Sequence, residues 1–327
     1  WENGAQECIE EEKMDGCRKS IPTSVILFVL FICSGAANAA TLEWIGPNGT
    51  PSPWETAANW TNLANGAHTV PTDADTARLY NALTGYNFTD SDVTVSTTTA
   101  IAQRVQMRYL TTKLTILTGG KLTTTGSVEM YLGTSAQIDI QAGATFDACT
   151  KTNIAVATFK IANDDVTTAP ATVNVWGTLN VISQNPANGV SELQICNMAG
   201  GSGTGTLNIY ASGRVNVDTY GIGSYGTGRI YITEGGVMTV AGDVTGQANA
   251  DIAAGKIAGA GGASVVSSYN AGENKTYIMV GSAPPPGPPN PPASITYPSG
   301  SSTGKYTVSW TASTGATSYQ LERSQDS

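Results

Sequence analysis

The chain holds a single histidine, His68. A Ser-His-Asp or Cys-His centre would have to be built on it, and no nucleophile-elbow phrase occurs in the chain. A lone histidine in a polar segment reads more simply as a surface residue. Charge is scarce as well. Asp, Glu, Lys and Arg together make up 13% of the chain, about half the usual share. The balance is acidic, with 25 acids against 16 bases and a formal charge of −9. Such a balance argues against nucleic acid or an anionic membrane surface as partner. No phosphate-loop, zinc or calcium-loop spacing is present, so no cofactor is expected.

Long apolar runs are missing too. The most apolar stretch, Val25-Ile-Leu-Phe-Val-Leu-Phe-Ile32, is eight residues, too few to span a bilayer core of about 30 Å as a helix. Arg18 and Lys19 precede it and Ala37-Asn-Ala39 follows. That order reads as a secretory signal cleaved before Ala40. Bulky Ile32 before Cys33 argues against a lipid anchor. Residues 1–13 stand ahead of the first methionine, Met14, and read as translated upstream sequence. Residues 1–39 carry six acids and three bases, which leaves 19 and 13 beyond them, a net charge of −6.

Of five cysteines, Cys8, Cys17 and Cys33 fall in that leader. Cys149 and Cys196 remain. Export makes a disulfide between them chemically allowed; the simpler reading makes each a small buried residue.

What the chain does have is a repeated phrase of alternating apolar residues broken by glycine. It runs Leu114-Thr-Ile116 to Gly119-Gly120-Lys-Leu122, and Ile138-Asp-Ile140 to Gly143-Ala-Thr-Phe146. It returns as Leu207-Asn-Ile209 to Gly213-Arg-Val215-Asn-Val217, and as Ile230-Tyr-Ile232 to Gly235-Gly236-Val237-Met-Thr-Val240. Period-2 strands joined by tight glycine turns and stacked in series predict an all-β fold, a parallel β-helix or β-solenoid. The spacings place six coils at about 105–122, 128–146, 158–181, 193–217, 222–240 and 244–266. A coil of about 22 residues with loops inserted near 147–157, 162–171 and 183–203 accounts for both the short and the long spacings. Gly200-Gly-Ser-Gly-Thr-Gly205 leads into a strand rather than a helix, which excludes a phosphate loop.

Residues 40–92 differ from the rest. Trp44, Trp54 and Trp60 crowd together with Pro47, Pro51 and Pro53. A first coil has an open edge that needs a cover, so these indoles read as the core of an N-terminal cap. The functional alternative is an aromatic platform for sugar rings. The coils then occupy 93–282 and a Pro-rich spacer 283–293 follows.

The repeat phrase, together with Ala58-Asn59-Trp60, Pro71 and Asp73-Ala-Asp75, resembles the β-helical repeats of autotransporter-like secreted and surface proteins of bacteria. The resemblance covers about 41–282. It implies a rigid surface or matrix protein; no outer-membrane barrel follows, so self-transport is not implied. Residues 294–327 carry three alternating strands, Ser294–Tyr297, Tyr306–Trp310 and Tyr319–Arg323. They resemble the first half of a fibronectin type III domain, with Trp310 at that family's core position. A sandwich of that kind needs about 90–100 residues, so the resemblance implies a truncated domain, continued in a longer chain or completed by another subunit.

The expected function is a secreted structural or adhesive scaffold, a self-assembling filament or a matrix subunit, with itself or extracellular glycans as partners. The rival from another class is a polysaccharide-binding or polysaccharide-degrading β-helix enzyme. The enzyme predicts carboxylates clustered on one coil face. The scaffold predicts ladders of Thr, Asn and Ser, and Thr123-Thr-Thr125, Asn174, Asn180, Asn208 and Asn216 favour it. Asp164-Asp165 is the best pair for calcium or acid–base work, against a plain solvated turn; Asp90-Ser-Asp92 reads equally as a turn. Asn48, Asn59, Asn87 and Asn274 begin N-x-Thr phrases, which chance supplies often in a Thr-rich chain.

Overall fold

The computed structural model describes residues 39–80, 90–108, 111–130, 135–150, 156–162, 170–184, 189–197, 203–223, 226–281 and scattered positions between 292 and 319. These residues form an all-β structure of three eight-stranded sheets, largely parallel, and one short two-stranded sheet. The chain visits the three long sheets in strict rotation. One circuit is Thr111–Ile116 in the second sheet, Lys121–Thr124 in the third and Val128–Met130 in the first. Each strand pairs with the strand one circuit before it and the strand one circuit after. That topology is compatible with a β-helix or solenoid.

The alternation in the sequence fixes which side chains face inward. In the second sheet Val93, Leu114, Ile138, Val173, Leu207, Ile230 and Ile257 stand in register on successive rungs. All are buried. Leu122, Phe146, Leu179, Val215 and Met238 do the same in the third sheet. Phe146 meets Phe159 of the first sheet edge to face, centroids 5.6 Å apart, so the sheets share one core. Each such side chain contributes about 1.5–3 kcal/mol through burial.

The register also explains the two spacings. From Val93 to Leu114 to Ile138 the steps are 21 and 24 residues; to Val173 and Leu207 they are 35 and 34; to Ile230 the step is 23. The extra residues of the long steps fall outside the paired strands, mainly in segments that include 149–155, 163–169 and 183–189.

Antiparallel strands close the first sheet at its N-terminal end and the third sheet at its C-terminal end. At the N-terminal end Trp60–Asn62 pairs antiparallel with Thr41–Trp44. Parallel pairing reaches back to Thr41 and Thr76, ahead of the start near Val93 suggested by the sequence. Proline and tryptophan hide the alternation in those short strands. Asp75 ties this end together by accepting from the backbone N–H of Ala40 and of Thr72 and from the Thr72 hydroxyl.

At the C-terminal end, residues 244–266 do not form one more three-strand coil. Thr245–Ala253 is a helix, followed by the single parallel strand Ile257–Gly259. The reason is local: Ala248, Ala250 and Ala253 favour helix and the stretch lacks period-2 alternation. Thr245 donates from its hydroxyl and its backbone to Asp243, which holds that carboxyl below its usual range. Lys275–Val280 then pairs antiparallel with Val237–Ala241, and Val265–Asn270 completes a hairpin with it.

Beyond residue 281, Ile295–Thr296 pairs antiparallel with Ser309–Trp310. Most of the Pro-rich spacer lies outside the described residues. No helix among the described residues is long and apolar enough to cross a membrane.

The corner between the first and second sheets needs left-handed backbone. Ala162, Cys196 and Gly223 follow Ile161, Ile195 and Ile222, which share one register, and their φ angles are 50°, 50° and 47°. Only glycine takes that region without strain. We expect Ala162→Gly to raise unfolding stability by about 1 kcal/mol and Gly223→Ala to lower it by about as much. Urea unfolding of the two variants measures both, and shifts of the same sign would rule out the strain argument.

Candidate functional site

Outward residues of each sheet stack in columns just as the inward ones do. The most exposed chemistry therefore depends on what stands one circuit away. In the third sheet Asn180 donates to Asp147 at 2.7 Å, Asn216 donates to Asn180 at 2.8 Å, and Thr239 donates to Asn216 at 2.7 Å. Lys121, from the neighbouring column, adds a diagonal ion pair to Asp147 at 2.6 Å. The second sheet repeats the scheme: Asn208 donates to Asn174, Asn174 donates to Asp139, and Lys113 pairs with Asp139 at 3.3 Å. In both columns every amide donates toward the carboxylate at the N-terminal end.

The first sheet carries the charged version. Arg78 sits 3.6 Å from buried Glu43 and donates to Gln106. Gln106 donates to Glu129 at 2.8 Å, and Lys160 lies 3.8 Å from Glu129. In the described strands of that sheet like charges are never directly opposite each other, which avoids repulsion between close neighbours.

This arrangement decides where the carboxylates can act. Glu129, Asp139 and Asp147 belong to one circuit but lie on three different sheets. Each is tied to neutral or basic partners in its own column or diagonal to it. Asp218 instead braces a corner, accepting from the backbone N–H of Ser183 and Ser191. Glu192 accepts from Gln194. Asp90 accepts from the backbone of Thr111. Asp92 faces Lys113, and burial pushes its carboxyl above the usual range. Asp164 and Asp165 lie outside the described residues. No group of three His, Cys, Asp or Glu able to hold a metal stands among the described residues.

His68 is in the exposed cap loop and its Nδ1 donates to the Trp60 carbonyl at 2.7 Å. Trp44, Trp54 and Trp60 are fully buried and pack edge to face, with centroids 5.1 and 4.7 Å apart. Trp60 donates its indole N–H to the Trp54 carbonyl. These three indoles present no face on which a sugar could stack.

A partly exposed aromatic group exists elsewhere. Trp176 and Tyr210 each follow a strand of the second sheet, one circuit apart. Their rings stack at 4.3 Å with planes 6° apart. Tyr231, 39% exposed, continues the column of Asn174 and Asn208. Sequence reasoning passed over these residues because they are separated by 20 residues or more and become neighbours only through the register. The signal available was positional: in Val175-Trp176 and Ile209-Tyr210 the aromatic residue takes the same place in the repeat.

Cys149 and Cys196 are buried free thiols. Ser191 at the start of strand Val190–Ile195 donates to the Cys149 carbonyl at 2.8 Å, while Cys196 follows the end of that strand. Five extended residues span about 16 Å, beyond the reach of a disulfide. Burial pushes the Cys149 thiol up to about 12 and the Cys196 thiol up to about 11.

A cleft of about 330 Å³ lies at the C-terminal end, lined by Ile252, Ile257, Val265 and small residues. It contains no titratable side chain.

Asn174→Leu should cost about 1–3 kcal/mol, because it removes the donor to Asp139 and the acceptor of Asn208 at once. Chemical denaturation measures it, and an unchanged midpoint would show the column to be energetically idle. Both thiols should resist a disulfide reagent at pH 8 in the native protein and react fully in denaturant. The stability due to the protonated thiols is fully present below the free-thiol range near 8.5. It is lost as pH rises through about 11 and about 12, so thermal midpoints should fall across that alkaline window. No known family profile, curated protein or solved structure matches this chain.

Proposed function

We propose that the chain is a secreted structural or adhesive scaffold, built as a parallel β-helix of the autotransporter-like type and followed by a fibronectin type III-like segment. The observation that carries this reading is the set of in-register polar columns. They consume the carboxylates in hydrogen bonds and ion pairs on three separate faces. A glycoside hydrolase needs two carboxyl groups held free across one bond; Asp92 and Asp139, the two that influence each other on the second sheet, have the Lys113 ammonium beside both, and the cleft holds no carboxylate.

The antiparallel strands at one end of the first sheet and one end of the third favour a discrete unit over a filament of stacked circuits. The last strand of the first sheet, Thr219–Ile222, has its carbonyls engaged by side chains: Gln247 donates to Tyr220 and Lys256 donates to Ile222. Tyr220 in turn donates to Asp251 of the same helix. Antiparallel Lys275–Val280 closes the third sheet.

Residues 40–327 should therefore sediment as one species over a hundredfold concentration range and release no reducing ends from polysaccharides. Electron microscopy of the same samples checks for order. Concentration-dependent fibres would replace the discrete unit with a self-assembling filament, and turnover of any polysaccharide would replace the scaffold with an enzyme.

A further inference from the structure

The open face of the second sheet bears a compact array of outward side chains. On one rung stand Thr172, Asn174 and Trp176, and on the next Thr206, Asn208 and Tyr210. The third rung presents Arg229, Tyr231 and Thr233. Rungs lie about 4.8 Å apart and alternate residues along a strand about 6.7 Å apart, so the array spans roughly 13 by 10 Å.

Its chemistry is aromatic and polar, with a single charge. One column is Trp176, Tyr210 and Thr233, the middle one Asn174, Asn208 and Tyr231, and the other Thr172, Thr206 and Arg229. Thr233 and Gln141 bound the Trp176–Tyr210 stack, so no third ring continues it on either side. Tyr210 is half-buried, and small Thr233 is the next residue in its column. The rung beyond Tyr231 carries Ala258, which leaves that ring open. Asn208 spends its N–H on Asn174, and its carbonyl oxygen has no donor among the described residues. Arg229 donates to its neighbouring backbone carbonyl and has no acidic partner among the described residues.

We propose that this array binds a neutral, extended polysaccharide of β-linked pyranose rings. A pyranose has an apolar C–H face that stacks on an aromatic ring and a rim of hydroxyls that need both donors and acceptors. Tyr210 and Tyr231 supply the faces; Asn208, Thr206 and Arg229 supply the polar contacts. A flat parallel sheet fits an extended ribbon, not a coiled α-linked chain. Charge selects against a polyanion: the array holds a single cation, and residues 40–327 carry a net charge of −6. The inference deepens the adhesive reading by naming its ligand class, and it rests on this face being free in the scaffold.

The test is native electrophoresis of residues 40–327 through gels containing hydroxyethylcellulose, arabinoxylan or polygalacturonate. Either neutral polymer should retard the protein. Tyr210→Ala and Tyr231→Ala should each weaken retardation about tenfold, Asn208→Ala should weaken it less, and Arg214→Ala on the third sheet should leave it unchanged. Unaltered circular dichroism and melting temperature separate loss of contact from loss of fold, and Tyr231→Phe should keep the retardation. Three results would overturn the assignment: no retardation by either neutral polymer, retardation by polygalacturonate alone, or retardation that survives both aromatic substitutions. None of them bears on sedimentation or turnover, so the scaffold reading stands or falls separately.

Discussion

The parallel sheets of this molecule follow from one constraint: each parallel strand finds its backbone partners a full circuit away. A circuit must therefore return to the same register whatever its length. Slipping by one residue would turn every inward side chain outward. The cost falls on the core column and the polar columns together. Leu114 over Ile138 and Asn208 over Asn174 are two readings of the same registration, one from inside and one from outside. The inward contacts are non-directional and tolerate exchange among Leu, Ile, Val and Met. The outward amides accept fewer arrangements, because each donor has one acceptor one rung away. The apolar columns thus supply most of the energy and the amide columns restrict the register.

The parts legible in the sequence were those repeated at short range. Alternation and glycine turns located the strands from Arg104 to Ala241, because each phrase carries its own pattern within about ten residues. The ends were harder. Thr41–Trp44 and Thr76–Arg78 are only four and three residues long, and their surroundings of Pro and Trp mask the period. The region 244–266 has glycines at plausible spacing, but its alanines turn it to helix, and spacing alone does not register that.

The surface was less legible still. Crowded tryptophans drew attention to Trp44, Trp54 and Trp60, yet density along the chain is what a small buried core also produces. Trp176, Tyr210 and Tyr231 are isolated in sequence and adjacent in space. A column neighbour is found only once the long circuits are aligned, and the two long steps of 34 and 35 residues hide that alignment behind inserted residues. The polar columns were half visible: Asn174, Asn180, Asn208 and Asn216 stood out as a class, while their shared direction toward Asp139 and Asp147 needed geometry.

The uneven circuits have a consequence for how such a chain can change over generations. Registration fixes where a circuit ends and says nothing about how many residues it uses to get there. Insertions between Ala148 and Val156, between Ala162 and Pro170 or between Ser183 and Gly189 leave every rung paired. Single substitutions within a rung are, by contrast, answerable to two neighbours above and below. Variation should therefore accumulate as changes of length at the corners flanking the first sheet, while the second sheet, whose corner to the third uses only short turns, keeps a surface of constant pitch.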